Sequence, residues 1–377
     1  VNEISSQRPR ARDLGIAIGT LPPGPFNSIT DVPDVRVGHE TVWFGDGPLR
    51  PGRGPARTGV TVVLPHGGNV YLDKVPGAME VINGYGKSMG SIQVGELGTI
   101  ETPIALTSTL CIGRVADGLV SHAITQTPEI GVRTSTVNPV VGECADSYLN
   151  DIQGRHVGEA QLLRAISSAT GGPILEGSVG AGTGMSCFGF KGGIGTSSRR
   201  IDNTFGGYTI GVLVLSNFGN RNQLVIDGVP VGRLLKEDPE RTPERGSIMI
   251  VVATDAPMLD RQLRRVARRA SFGLARTGSI GGHGSGDIVI AFSNHPSVRI
   301  PHYGDGWELP VRLVAESGPD ADSSAIDAIF TATIEATEEA ILNSMFTAHT
   351  VIGRDGHRRD ALPVDHVMDA IDRYRRQ

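Results

Sequence analysis

A ten-residue charged segment, Lys236 to Arg245, is followed almost at once by the apolar run Ile248-Met249-Ile250-Val251-Val252-Ala253-Thr254, with only Gly246-Ser247 between them. That change constrains the fold more than any other stretch. The charged segment contains two prolines and no apolar run, so it reads as an exposed loop. The run after it is β-branched in part, bounded by turn residues and without polar alternation, which fits a strand covered on both faces. Such a strand needs a layer on each side, and Ser247, its first residue, falls at a sheet end.

Three other segments have the same character: Thr58 to Leu64, Tyr208 to Leu215 and Asp287 to Phe292. Helices are expected at Gly158 to Ala169, Met258 to Gly273 and Ser323 to Met345, where charged and apolar residues interleave at helical spacing, with Glu335, Glu338 and Glu339 on the polar face of the last. Asp255-Ala256-Pro257 and Asp320 to Ser324 supply N-terminal caps for the second and third. Strands and helices follow no regular βα repeat. The expectation is a layered α+β protein with sheets at the centre and helices outside. Its 377 residues form a single domain with a substantial core. Glycine, at 51 residues, is about twice its usual share of roughly 7%; it is aperiodic and lies between apolar runs, as tight turns and close backbone approaches require.

Composition excludes several function classes. A formal charge of -5 gives no basic footprint for nucleic acid. No apolar run reaches 18 residues, so no membrane span is expected, and Val1 to Arg12 lacks the apolar core of a signal peptide. A cytoplasmic protein is expected, or a periplasmic one if a leader once preceded Val1. Cys111, Cys144 and Cys187 are widely spaced, form no C-x-x-C pair and read as buried thiols. The ten histidines form no H-E-x-x-H or H-x-H cluster, so neither a metal nor a cofactor is expected.

Two glycine-rich segments invite a phosphate-binding reading. Gly177 to Gly184 lacks the Gly-Lys-Ser/Thr ending of a P-loop and the G-x-G-x-x-G spacing, so it reads as a close-packed loop. Lys191, in Lys191-Gly192-Gly193, is expected in a solvated turn or holding an anion. Four polar residues sit where apolar runs begin or end. Asn217 is an amide where a strand leaves the core, able to donate to an oxyanion or simply to turn the chain. Ser285 and Asp287, flanking Gly286, set a hydroxyl beside a carboxylate or cap a turn. Glu143, just after Pro139-Val140-Val141, can bind a cation or face solvent.

Gly246-Ser247 admits a specific chemistry besides that of an ordinary turn. The Ser247 hydroxyl attacks the Gly246 carbonyl, an N-to-O acyl shift gives an ester, and water cleaves it. Glycine suits the step because it has no Cβ to obstruct the attack. The released α-amine, with an unperturbed pKa of about 7.7 to 8, then serves the same serine as its base.

Several segments occur together in order: Asn27-Ser28-Ile29-Thr30-Asp31-Val32, Arg57-Thr58-Gly59-Val60-Thr61, Leu149-Asn150-Asp151-Ile152, Phe190-Lys191-Gly192-Gly193-Ile194-Gly195-Thr196, Asp227-Gly228-Val229-Pro230-Val231-Gly232, Gly246-Ser247-Ile248, Leu274-Ala275-Arg276-Thr277-Gly278 and Ser285-Gly286-Asp287-Ile288. From about residue 10 to about residue 365 the chain resembles the DmpA family of self-processing serine aminopeptidases, which includes the β-aminopeptidases. The resemblance implies a four-layer αββα sandwich, similar to N-terminal nucleophile hydrolases but with different strand connectivity. It implies cleavage into chains 1–246 and 247–377, tetramers of such αβ units, and small N-terminal L-, D- or β-residues released from short peptides, amides or esters. By the same resemblance Ser247 is the nucleophile, Asn217 the oxyanion donor, Ser285 and Asp287 the pair that assists proton transfer, and Glu143 the anchor for the substrate's amine. Two positions depart from the family pattern: Ala145 stands where some members carry Tyr, and Ser108 where Asn is expected, both changes being assigned to the substrate pocket. The competing classes are an acyltransferase of the ornithine acetyltransferase type, which uses Thr as nucleophile, and a non-catalytic relative.

Overall fold

The computed structural model describes residues 8–235, 246–304, 306–318 and 324–377. The charged segment 236–245, read from sequence as a loop, lies outside them, as do Asp320 to Ser323. The apolar run is the strand Ser247–Thr254, buried at every residue. It pairs antiparallel with Thr209–Asn217 and parallel with Gly286–Ser293. Gly193–Arg200 and Asp73–Gly84 extend this sheet on either side, and the short strands Ile300–Pro301 and Thr99–Ile100 complete it. A second sheet runs in the order Arg36–Phe44, Ala56–Leu64, Ile104–Ser108, Val140–Cys144, Ser88–Met89.

Side-chain alternation sorts each central strand between two cores. Ile248, Ile250 and Val252 pack with Ala332, Ala336 and Ala340, and Val266 and Ala270, from the helices Ala325–Phe346 and Asp260–Arg276. Met249, Val251 and Ala253 point the other way, against Ile104, Leu106 and Val140 of the second sheet. On the far side of that sheet Val60, Val62, Ala105 and Val141 meet Val115, Leu119, Leu162 and Ala165 of the helices Ile112–Gln126 and Glu159–Ser167. Helix, sheet, sheet, helix is the resulting order, so the expected αββα layering is present. Full burial of a Val, Leu or Ile side chain contributes about 1.5–3 kcal/mol, which makes the two-faced central strands the main source of cohesion.

The four predicted strands all occur, each within two residues of its expected ends. Helix ends shifted more, and their caps differ. Asp255 does not cap the helix beginning at Asp260; its carboxylate accepts the Thr209 N–H at 2.7 Å, and the N-cap is Leu259. Ser324 does cap the long helix, accepting from Asp327 N. That helix has no polar face where one was expected, because Glu335, Glu338 and Glu339 are buried. Arg199, itself fully buried, reaches Glu335 at 3.1 Å and Glu339 at 2.6 Å, and Arg12 adds a second contact to Glu339 at 2.9 Å. The helix lies close enough to the sheet that a Cβ at Gly195 would sit 2.0 Å from the Ala340 carbonyl. The loop Gly177 to Gly184 is close-packed as expected, with Gly180–Gly184 buried. Lys191 is not in a solvated turn: it is fully buried and donates to the carbonyls of Gly182 (2.8 Å) and Gly192 (2.7 Å). Burial pushes its amine down to about 7. Cys111, Cys144 and Cys187 are buried and unbridged. No helix among the described residues is long and apolar enough to cross a membrane.

Candidate active site

Strand direction gathers the candidate residues at one edge of the central sheet. Thr209–Asn217 ends where Ser247–Thr254 begins, so Asn217 pairs directly with Ser247. The parallel neighbour begins at the same level, pairing Gly286 with Ser247. Three polar groups from distant parts of the chain thus meet because three apolar runs share one terminus.

Gly246 enters this edge under the strand end of Asn217: a Cβ there would lie 2.0 Å from the Asn217 carbonyl oxygen and 2.6 Å from the Phe218 Cα. No other residue fits without moving the backbone. The Gly286 N–H points at both the Gly246 carbonyl (3.2 Å) and the Ser247 hydroxyl oxygen (3.3 Å). A donor on that carbonyl draws electron density from its carbon and favours attack by a nearby oxygen.

The side chains around Ser247 are held by specific bonds. Asn217 Oδ1 accepts from Ser186 N at 2.8 Å, and Nδ2 donates to the Ala145 carbonyl at 3.0 Å. These partners fix which end of the amide is the donor, and Nδ2 has a second N–H beyond the one Ala145 uses. Ser285 Oγ donates to Asp287 Oδ1 at 2.5 Å, both residues buried. Asn83 Nδ2 secures the turn leading to them, donating to the carbonyls of Gly282 and Ser285. Glu143, at the end of a strand of the other sheet, accepts the Lys87 N–H at 2.8 Å and the Thr109 hydroxyl. Both donors are neutral, and among the described residues Glu143 forms no ion pair.

A cleft of about 630 Å³ between the two sheets has Glu143, Ala145, Asn217, Gly246 and Ser247 in its wall. Five of the seven candidates therefore share one cavity, while Ser285 and Asp287 lie buried beside Gly286. Of the two departures from the family pattern, Ala145 lines the cleft. Ser108 does not; its hydroxyl donates to the buried Asp146 at 2.8 Å. Lys87, Tyr148, Ser186, His283 and Arg359 also line the cavity. Sequence reasoning assigned none of them a role, and Arg359 had no local signal: it stands 173 residues from Ser186, the partner of its Nε.

Comparison with known proteins finds a family, relatives and solved structures that the chain resembles over most of its length. Peptidase family S58 matches the chain over residues 27–359. The β-peptidyl aminopeptidase BapA of Sphingosinicella xenopeptidilytica is 40% identical over 373 residues, covering 95% of this chain and 90% of that protein. Among solved structures, the PH0078 protein from Pyrococcus horikoshii OT3 is 51% identical with a TM-score of 0.90, covering 97% of this chain and 99% of that one. The L-aminopeptidase D-Ala-esterase/amidase of Ochrobactrum anthropi, described as a new variant of the Ntn hydrolase fold, is 37% identical with a TM-score of 0.88, covering 98% and 99%.

Proposed function

The chain belongs to peptidase family S58 and is a serine-type aminopeptidase of the N-terminal nucleophile kind, and on that premise we propose how its residues divide the work. Ser247 Oγ attacks the Gly246 carbonyl carbon. The C–O bond forms, the Gly246–Ser247 C–N bond breaks, and the hydroxyl proton passes to the departing nitrogen. Water hydrolyses the ester, leaving chains 1–246 and 247–377 of one domain. The Gly286 N–H on the Gly246 oxygen stabilises the negative charge of this step, contributing roughly 3 kcal/mol if it matches other oxyanion donors.

The mature site then works on short peptides, amides or esters. Glu143 receives the substrate's ammonium, which sets the first carbonyl before Ser247 and makes the enzyme an exopeptidase. The Ser247 α-amine takes the hydroxyl proton as Oγ attacks, and returns it to the leaving amine. Asn217 Nδ2 donates to the oxyanion, while Ser285 and Asp287 orient the α-amine and relay its proton. Water releases the acyl group from Ser247. Neither the transferase nor the non-catalytic alternative is favoured by the relatives.

The observation that carries this reading is the register that sets Asn217, Ser247 and Gly286 side by side at one sheet end. Denaturing mass spectrometry of the purified protein is expected to find two chains split before Ser247, and one intact chain in Ser247→Ala that hydrolyses no amino acid p-nitroanilide. A single inactive wild-type chain would sink it. Assembly into tetramers of αβ units is part of the same proposal. Its support is the exposed apolar series Tyr303, Trp307, Leu309, Val311 and Leu313, and sedimentation velocity tests it.

A further inference from the structure

A short bridge joins the two sheets beside the cleft. The strand Asp73–Gly84 of the central sheet ends with Gly84 paired to Gly286, and Ser88–Met89 of the second sheet begins with Ser88 paired to Gly142. Only Tyr85, Gly86 and Lys87 lie between them, so the chain crosses from the sheet of Ser247 to that of Glu143 in a single step. Both ends of the crossing are tied. The Tyr85 N–H donates to the Ser285 carbonyl at 3.1 Å, and the Lys87 N–H to Glu143 Oε1 at 2.8 Å. At one end stands Gly286, whose N–H reaches Ser247 Oγ at 3.3 Å, and at the other the proposed amine anchor.

Gly86 occupies the middle of this bridge. A Cβ there would lie 3.0 Å from Gly286 Cα and 3.6 Å from Glu143 Oε1, so one point touches both the backbone beside Ser247 and the anchor oxygen. The first distance is shorter than the roughly 3.5–4.0 Å of an ordinary carbon contact, and a methyl group would push the bridge off Gly286. Glu143 Oε1, bonded to the Lys87 N–H, would follow it. The Gly86 backbone lies outside the left-handed region, so it is this contact and not conformation that requires glycine. A second spacer lies beneath the anchor itself. Gly142, the residue before Glu143, rests on Met249, two residues after Ser247, and a Cβ at Gly142 would lie 2.9 Å from the Met249 sulfur. Met249 is fully buried and sets how far the strand of Glu143 stands from that of Ser247.

We infer that the bridge, with Gly86 and Met249 as its spacers, fixes the distance between amine and scissile carbonyl that the site accepts, and so decides between α- and β-amino acids at the substrate's amino terminus. This rests on the reading of Glu143 as the amine anchor and Ser247 as the nucleophile. An α-residue places one carbon between its nitrogen and its carbonyl and a β-residue places two, a difference of one bond of about 1.5 Å. Such a difference is large on the scale of catalysis, where a misplacement of about 1 Å costs ~100-fold in rate. Gly86 and Met249 touch neither the reacting atoms nor the amine; they act through the positions of Gly286 and Glu143.

The test measures kcat/KM of the processed enzyme on the p-nitroanilides of β-Ala and L-Ala and follows their ratio. Gly86→Ala lengthens the spacing and should raise the ratio of β-Ala to L-Ala about tenfold over wild type. Met249→Val shortens the spacer under Gly142 and should lower the same ratio. Cleavage before Ser247 does not use Glu143, so both variants should still split into two chains, which reports that they fold; where one does not, the other carries the test alone. A ratio within about twofold of wild type in a processed variant would overturn the inference, since a merely structural residue lowers both rates alike. A shift of both variants in the same direction would overturn it too. Absence of wild-type turnover on every amino acid p-nitroanilide would instead defeat the aminopeptidase reading, and this inference with it.

Discussion

Two sets of buried carboxylates in this molecule differ in what answers their charge. On the helix Ala325–Phe346, Glu335 and Glu339 share Arg199, and Glu339 also receives Arg12 and the Asn27 amide. In the cleft, Glu143 receives, among the described residues, a backbone N–H and a hydroxyl. The first set is electrically closed, fastening the N-terminal segment and the Gly193–Arg200 strand to the helix. In the proposed function the second is left for the substrate's ammonium. Burial marks neither set as functional; the sign of the partner does.

Removing charge from each set should therefore give opposite results, and the larger effect belongs to the helix. Glu339→Gln leaves Arg199 buried with part of its countercharge gone, and loss of one partner of such a pair typically costs about 3–5 kcal/mol. Chemical denaturation should show a lowered midpoint, with kcat of the remaining folded enzyme close to wild type. Glu143→Gln should do the reverse. Loss of a charge-assisted bond to the substrate's ammonium is worth about 2 to 3 kcal/mol, or ~30- to ~150-fold in kcat/KM, with an unchanged melting temperature. Should Glu143→Gln destabilise the fold as much as Glu339→Gln, the distinction between the two sets would fail.

The same contrast explains what could be read in advance. The strands at 58–64, 247–254 and 287–292 were legible because burial on both faces demands uninterrupted apolar residues, and that demand is local. Asn217, Ser247 and Ser285 were legible for the same reason, as polar residues at the ends of such runs. The helix Ile112–Gln126 went unread, since its buried positions are partly the small residues Ala116, Gly118 and Ala123, which give a weak apolar stripe. The burial of Glu335 and Glu339 was illegible because their cation, Arg199, lies 136 and 140 residues away in sequence. Arg359 was hidden similarly. A salt bridge or an aromatic sandwich between distant segments leaves no period in either one.

The proposed assembly gives a further comparison, between the exposed apolar residues Tyr303, Trp307, Leu309, Val311 and Leu313 and the buried runs. Trp307→Ser should leave kcat/KM of the processed protomer within about twofold if the series serves assembly alone, while shifting the sedimentation coefficient toward a single αβ unit. An unchanged coefficient would remove the main support for that surface as the contact.

The last comparison concerns Lys191, a buried amine held by two carbonyls, with no salt bridge among the described residues. Burial lowers its amine from 10.5 to about 7 in the folded protein. A base with a depressed folded pKa adds stability that is fully present above its unfolded pKa and is lost as pH falls through the folded one. The window for Lys191 therefore runs from about 10.5 down to about 7, and across it folding releases up to one proton. Stability gains from this group as pH rises from 7 toward 10, at most about 1.4 kcal/mol per pH unit. Lys191→Met removes the titrating group, so its unfolding free energy should lack this component of the alkaline slope. If wild type and Lys191→Met show the same slope between pH 7 and 10, the amine stays charged in the fold, and the Gly182 and Gly192 carbonyls compensate a buried charge as fully as the arginines compensate the helix carboxylates.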